Sequence, residues 1–200
     1  MKILVIFTGG TIGSTVNGEY ISTDGKKPYI ILERYNKEYP NSIEWHTDNP
    51  YTILSENATI DTYRMLAKSV KAGLDKNYDG IIVTHGSDTL QYSAAFLSLI
   101  LGDDVAPVML VSSNYVLEDE RANGMDNFGA AVDFIVNHRG KGVFVPYKNI
   151  CKIGDDVILV EVFNVPKNNR GKKTTILKEE GAMEEEGKNL LESEEFLNKW

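Results

Sequence analysis

Two short segments carry hydroxyls and glycines in patterns suited to covalent chemistry. The first is Thr8-Gly9-Gly10-Thr11-Ile12-Gly13-Ser14. A hydroxyl in the middle of such a turn resembles an exposed nucleophile, with neighbouring backbone N–H groups free to hold an oxyanion. Taken alone, the loop reads more simply as a tight turn that its threonines cap. The second segment changes that balance. Thr84-His85-Gly86-Ser87-Asp88-Thr89 adds a carboxylate and further hydroxyls, the arrangement expected where an acid orients a base or grips a substrate ammonium group. A nucleotide-binding loop is excluded, because Gly-Gly stands where a dinucleotide fingerprint needs Gly-x-Gly and no Lys-Ser/Thr pair follows at phosphate-loop spacing.

The elements that must position these segments are legible around them. Lys2–Phe7 is an apolar run of the kind that forms a buried parallel strand, and it delivers the first loop. Ile60–Leu74 places Tyr63, Leu66, Ala67, Val70 and Leu74 at helical spacing, with Thr59 or Asp61 as its cap. A strand over 79–84 delivers the second loop, and 89–101 follows as a helix apolar on nearly every face. The unit repeats as a strand over 105–111, the pair Ser112-Ser113, and a helix through 128–136. Strands are also expected over 142–146 and 157–163, separated by a turn containing Gly154-Asp155-Asp156. Residues 15–50 read as long surface loops around one short strand or helix. Tyr29, Tyr35 and Tyr39 would then serve as loop packing. Alternating strands and helices predict an α/β fold, a mainly parallel sheet with helices on both faces. In such a sheet ligands bind beyond the carboxyl ends of the strands. Thr8, Thr11, Ser14, Thr15, Thr84, Ser87, Asp88, Thr89, Ser112 and Ser113 are all expected to converge there.

Composition narrows the class. The chain has 200 residues and 42% hydrophobic content, enough for a sizeable core. No apolar stretch approaches the roughly 20 residues that cross a bilayer. Cys151 is the single cysteine, so neither an internal disulfide nor a multi-cysteine metal site is available, and a reducing, cytoplasmic setting fits. His46 and His138 have no partners at ligand spacing, and no metal site is expected. Of the net charge of −8, residues 178–200 account for −5, with eight acids against three lysines. The remaining body is nearly balanced and shows no basic stripe, so nucleic acid is discounted as a partner. Beyond Pro166 a polar linker leads into this Glu-rich tail, whose thin apolar stripe is Leu190, Leu191, Phe196 and Leu197.

Thr-Gly-Gly-Thr-Ile-Gly at 8–13, taken with Val-Thr-His-Gly-Ser-Asp-Thr-Leu at 83–90, resembles the paired signatures of the bacterial L-asparaginase family, in particular its intracellular, type I-like members. Ile53-Leu54-Ser55-Glu56-Asn57, Asp119-Glu120-Arg121-Ala122-Asn123-Gly124 and Asn127-Phe128 also resemble family segments in the same order, and the likeness covers about residues 1–147. The resemblance implies hydrolysis of asparagine to aspartate and ammonia through a threonine nucleophile, without a cofactor. Carried over by position, Thr11 attacks and Tyr20 belongs to the mobile loop over the site. Ser55 and Asp88 hold the α-carboxylate and α-ammonium ends, and Ser87 stands near the attacked carbonyl where the family usually has threonine. Gly10, Glu56 and Gly86 complete the substrate-binding set. His85, beside a glycine at a strand end, reads as a residue that hydrogen-bonds the backbone.

A threonine hydroxyl needs a base, which a desolvated lysine steadied by Asp88 would supply. Lys148 and Lys152 are the candidates, and either reads equally as a solvated surface lysine. The family also has a second, smaller domain, and its sites form between subunits as a homo-oligomer. Residues 1–165 are expected to be the family's N-terminal domain and 166–200 a linker and tail, with the second domain absent. Two other functions fit these residues: a non-catalytic remnant that binds a small amino acid, and an amidotransferase subunit that releases ammonia from glutamine or asparagine.

Overall fold

Ile3 to Phe7, Ile81 to Val83 and Val108 to Val111 are 0–6% exposed, a burial that only the interior of a sheet covered on both faces provides. The computed structural model describes residues 1–17, 20–22, 29–39, 42–147, 149–153 and 161–163, with the backbone alone for 15–17, 20–22, 147, 149–153 and 161–163. In chain order the strands are β1 Lys2–Phe7, β2 Thr15–Asn17, β3 Tyr20–Ser22, β4 Glu44–Asp48, β5 Gly80–Thr84, β6 Val108–Val111, β7 Val143–Tyr147, β8 Asn149–Ile153 and β9 Glu161–Phe163. The helices are α1 Ile30–Glu38, α2 Ile60–Leu74, α3 Leu90–Leu101 and α4 Gly124–Val136.

A seven-stranded sheet runs β4-β1-β5-β6-β7-β8-β9. Its first five strands are parallel, and β8 and β9 are antiparallel additions at one edge. The mainly parallel α/β fold is therefore as the sequence predicts. Alternate strand residues feed two cores. Ile3, Val5, Phe7, Ile82 and Val111 pack with Ile31 and Tyr35 of α1 and Phe128 and Ile135 of α4. Leu4, Ile6, Ile81, Val83 and Leu110 pack with Leu66 and Val70 of α2 and Ala94 and Leu97 of α3 on the other face.

Register decides where the loops begin. Phe7 pairs with Thr84, and Thr84 with Val111, so β1, β5 and β6 end at one level. The reciprocal cap on α2 comes from Thr59 and not from Asp61: the Thr62 N–H donates to Thr59 Oγ1 at 3.4 Å and the Thr59 N–H to Thr62 Oγ1 at 2.9 Å.

Three expectations need correction. Residues 15–50 contain a β2–β3 ribbon, helix α1 and the edge strand β4, more regular structure than surface loops with one short element. Tyr35 accordingly packs from a helix, edge-on to Trp45 and Phe128 with centroids 5.9 and 5.4 Å away. Strand β6 starts at Val108, after Pro107, whose missing N–H suits a strand entry. The sheet edge gains β8, where only a strand over 157–163 was expected; the latter's described part is β9. The turn at 154–156, Lys148 and the tail at 166–200 lie outside the described residues.

Candidate active site

Thr11 lies on a single 3-10 turn, Thr11–Gly13, at the end of β1. Its neighbour Ile12 is 1% exposed and anchors the turn in the core, leaving Thr11 half-buried on the outer side. The Gly13 N–H (3.1 Å) and the Ser14 hydroxyl (2.7 Å) both donate to the Gly10 carbonyl, which fixes the turn.

Gly10 carries φ +71°, and a Cβ there would lie 2.4 Å from the Gly86 Cα and N. Only glycine tolerates both conditions, so the loops after β1 and β5 touch through bare backbone. A third segment joins them. The Gly10 N–H donates to the Ile53 carbonyl at 2.9 Å and the Ile53 N–H to the Thr8 carbonyl at 3.1 Å, laying the Ser55–Asn57 turn beside the first loop. Ser55 is 4% exposed; its Oγ donates to Asp88 Oδ2 at 3.1 Å and accepts from the Asp88 N–H at 3.2 Å. Thr89 Oγ1 donates to the Ser55 carbonyl at 3.1 Å.

The structure thus brings the loops of Thr11, Ser55 and Asp88 together beyond the carboxyl ends of β1 and β5. Ser87, Asp88 and Glu56 are exposed there, and Gly10 and Gly86 are buried at the contact. Tyr20 opens β3, opposite Asn17 in the two-stranded ribbon, and its side chain lies outside the described residues, as do those of Lys148 and Lys152.

Other hydroxyls are committed inside the protein. Thr8 is buried and donates to the Thr84 carbonyl at 2.7 Å, and Ser14 is committed to Gly10. Ser112 and Ser113 are fully buried. Ser113 Oγ donates to the Tyr115 carbonyl at 2.6 Å, and Asn127 Nδ2 of α4 donates to the Ser112 carbonyl at 3.0 Å. The expectation that this pair lines the site is therefore wrong: both residues are buried, and the Ser113 hydroxyl and the Ser112 carbonyl make bonds that tie a loop down. Asp119 and Arg121 satisfy each other within that loop, at 2.7 Å between Oδ2 and Nη2, and the guanidinium holds the Asp119 carboxyl down to about 2. Arg121 also stacks over Tyr115 at 4.1 Å.

His85 is 4% exposed, with Nδ1 2.8 Å from the Gly86 carbonyl and Nε2 2.9 Å from Ser93 Oγ. Burial pushes its pKa below the ordinary value, opposed by the bond to Gly86. It bonds the backbone, as the sequence suggests. Tyr51 is a participant that sequence reasoning missed. Burial raises its hydroxyl to about 12, and it bonds the Thr8 side chain behind the first loop. It lies outside both motifs, and nothing in its neighbourhood marks it. Thr8, Tyr51, Ser55, His85, Gly86 and Ser93 line a pocket of about 10 Å³, room for about one water molecule. That pocket is too small to take a ligand of amino-acid size. Among the described residues no group of His, Cys, Asp or Glu is placed to hold a metal ion, and no helix is long and apolar enough to cross a membrane.

Residues 2–166 match the family model described as Asparaginase, N-terminal. The chain belongs to the asparaginase family. This asparaginase-family chain is 32% identical over 143 residues to L-asparaginase 1 of Escherichia coli K12, covering 68% of this chain and 41% of that protein. It is 34% identical over 115 residues to a glutamyl-tRNA(Gln) amidotransferase subunit of Metallosphaera sedula, covering 56% of this chain and 26% of that relative. In structure it resembles a probable cytoplasmic L-asparaginase from Campylobacter jejuni, with TM-score 0.62 and 27% identity over 76% of this chain and 46% of that one. It shares its fold with the thermostable L-asparaginase from Thermococcus kodakarensis, with TM-score 0.64 and 22% identity over 91% of this chain and 57% of that one. The chain spans under half the length of the Escherichia coli and Campylobacter jejuni relatives.

Proposed function

We propose that this chain carries the nucleophile-bearing part of an L-asparagine amidohydrolase that acts in the cytoplasm. The observation that carries the reading is the junction of three loops: Gly10 against Gly86, and Ser55 bonded to Asp88. In this reading the junction sets the Thr11 hydroxyl and the Asp88 carboxylate on the tips of neighbouring strands, where one small zwitterionic substrate would meet both. Residues 1–165 are the domain responsible, and 166–200 a linker and acidic tail.

In the proposed reaction Asp88 pairs with the substrate ammonium group, Ser55 holds the α-carboxylate end, and Glu56 adjoins them in the substrate-binding set. Thr11 Oγ adds to the side-chain amide carbon and passes its proton to Lys148 or Lys152. The C–N bond then breaks and ammonia leaves, carrying a returned proton. Water hydrolyses the resulting threonyl ester, giving aspartate and free Thr11. Ser87 supports the attacked carbonyl, and Tyr20 closes over the site. No cofactor enters. Active sites shared between copies of the chain would make a homo-oligomer the working form.

Ammonia release from L-asparagine and L-glutamine by the purified full chain tests this reading, together with calorimetric titration by L-aspartate. Ammonia from asparagine supports it, and the absence of both turnover and aspartate binding overturns it. Binding without turnover marks a remnant. The likeness to the amidotransferase subunit favours a second reading, in which glutamine is the ammonia donor for a partner. Turnover of glutamine well above that of asparagine would select it.

A further inference from the structure

We propose that His85 is a positioning residue: its ring, backed by Ser93, locks the Gly86–Ser87 peptide in the orientation that turns the Ser87 N–H toward the cleft. The inference rests on the amidohydrolase reading for what that N–H does, and on geometry alone for how it is held.

A carbonyl oxygen only accepts, so the 2.8 Å contact with the Gly86 carbonyl places the imidazole proton on Nδ1. Nε2 then bears a lone pair and accepts from Ser93 Oγ at 2.9 Å. Ser93 is 2% exposed and sits in the first turn of α3, whose N–H at that residue donates to the Thr89 carbonyl at 3.0 Å. A chain of contacts thus runs from a rigid helix through a buried ring to one peptide group.

That peptide needs such a hold. A Cβ at position 86 would lie 2.4 Å from Ser55 Oγ, so packing demands glycine. Glycine in turn leaves the adjoining peptide free to rotate. No peptide among the described residues is cis. In a trans peptide the C=O and N–H point in opposite directions. With the Gly86 carbonyl held inward against the ring, the Ser87 N–H faces outward, on the side where Ser87 and Asp88 are exposed. There it donates to the oxygen of the side-chain carbonyl under attack. Flipping the peptide would present a carbonyl to that oxygen instead.

The test uses the full chain with two variants and one spectroscopic measurement. L-aspartate is the probe, because its side-chain carboxylate takes the place of the attacked amide. His85→Gln carries its amide out to the place of Nε2, reaching Ser93 and leaving the Gly86 carbonyl unheld. His85→Asn keeps a donor near Nδ1. The expected result is L-aspartate affinity about tenfold or more weaker in His85→Gln and within about threefold of wild type in His85→Asn, both read by calorimetry. Equal affinities in the two variants would overturn the proposal, since a merely structural side chain would not distinguish them. ¹⁵N NMR of the wild-type imidazole separately reports the ring proton. A proton on Nδ1 is expected, and one on Nε2 overturns the relay whatever the variants do. Failure of wild type to bind L-aspartate at all would count against the amidohydrolase reading, with the ring tautomer still deciding the relay.

Discussion

Ser55 Oγ donates to Asp88 Oδ2 at 3.1 Å and accepts from the Asp88 N–H at 3.2 Å, so one hydroxyl reads both the side chain and the backbone of the same residue. Because Ser55 is buried and Asp88 exposed, the pair places a charge at the surface with its root fixed inside. In the proposed reaction Asp88 would meet the substrate ammonium group with little side-chain freedom left to lose. The two residues lie 33 positions apart, and their meeting depends on the Ile53 backbone bonds to the first loop.

Removing the charge at Asp88 should weaken the grip on substrate and leave the scaffold in place. Hydrogen bonds to charged groups contribute about 1.5–3 kcal/mol, so Asp88→Asn is expected to raise the Michaelis constant for asparagine about tenfold or more. Ser55→Ala removes the hydroxyl bonded to the Asp88 carboxylate, also a hydrogen bond to a charged group, and is expected to raise the Michaelis constant about tenfold or more as well. Steady-state ammonia release checks both, and an unchanged Michaelis constant in Asp88→Asn would reject the ammonium-binding role.

Thr11→Ala tests the nucleophile. Thr11 is half-buried, and the turn around it is held by Gly10, Ile12 and Ser14, so the variant should melt within about 2 °C of wild type. Ammonia release should fall to background. Turnover at the wild-type rate would show that another group attacks.

Gly10→Ala should act on the scaffold itself. A side chain at φ +71° is strained, and its Cβ would press into the Gly86 backbone at 2.4 Å, which cannot swing aside like the end of a flexible side chain. The combined cost is about 2–4 kcal/mol, which in a chain of this size lowers the melting temperature by roughly 5–15 °C. Calorimetry reads the shift. A change under about 2 °C would mean the two loops are not in backbone contact.

The sequence exposes those parts of the fold whose local physics agrees with their tertiary setting. Strand β1 is a run of apolar residues because both its faces are covered, and α2 shows its stripe and its Thr59 cap because one face is wet. Strand β4 hides, since its residues Glu-Trp-His-Thr-Asp form a partly exposed edge and, among the described residues, pair only with β1. Helix α1 hides inside a polar stretch whose buried side is only Ile31, Leu32 and Tyr35. In the site, glycine-hydroxyl turns announce the loops, yet a list of hydroxyls does not reveal which are used up inside. Ser112 and Ser113 look like Thr11 and Ser87 in sequence and differ only in burial. The Tyr51–Thr8 bond joins residues 43 positions apart and has no local signature.

Buried His85 also predicts a dependence of stability on pH. Its folded pKa lies below 6.5 because burial disfavours the imidazolium, the bond to the Gly86 carbonyl opposing this more weakly. In the unfolded chain the ring takes up a proton as pH falls through about 6.5, while the folded ring stays neutral to lower pH. The unfolded state therefore binds more protons in that window. The stability from a neutral buried ring is complete above about pH 6.5 and declines below it, by at most about 1.4 kcal/mol per pH unit. Asp119, held at about 2 by Arg121, and Asp104, lowered by Lys141, act in a different range, since their contributions are present above about pH 4 and fade only on further acidification. Melting temperatures measured between about pH 5 and pH 7 should thus fall with acid in the wild type and fall less in His85→Asn, which cannot take up the proton. Parallel profiles for the two proteins would place the His85 ring in contact with solvent.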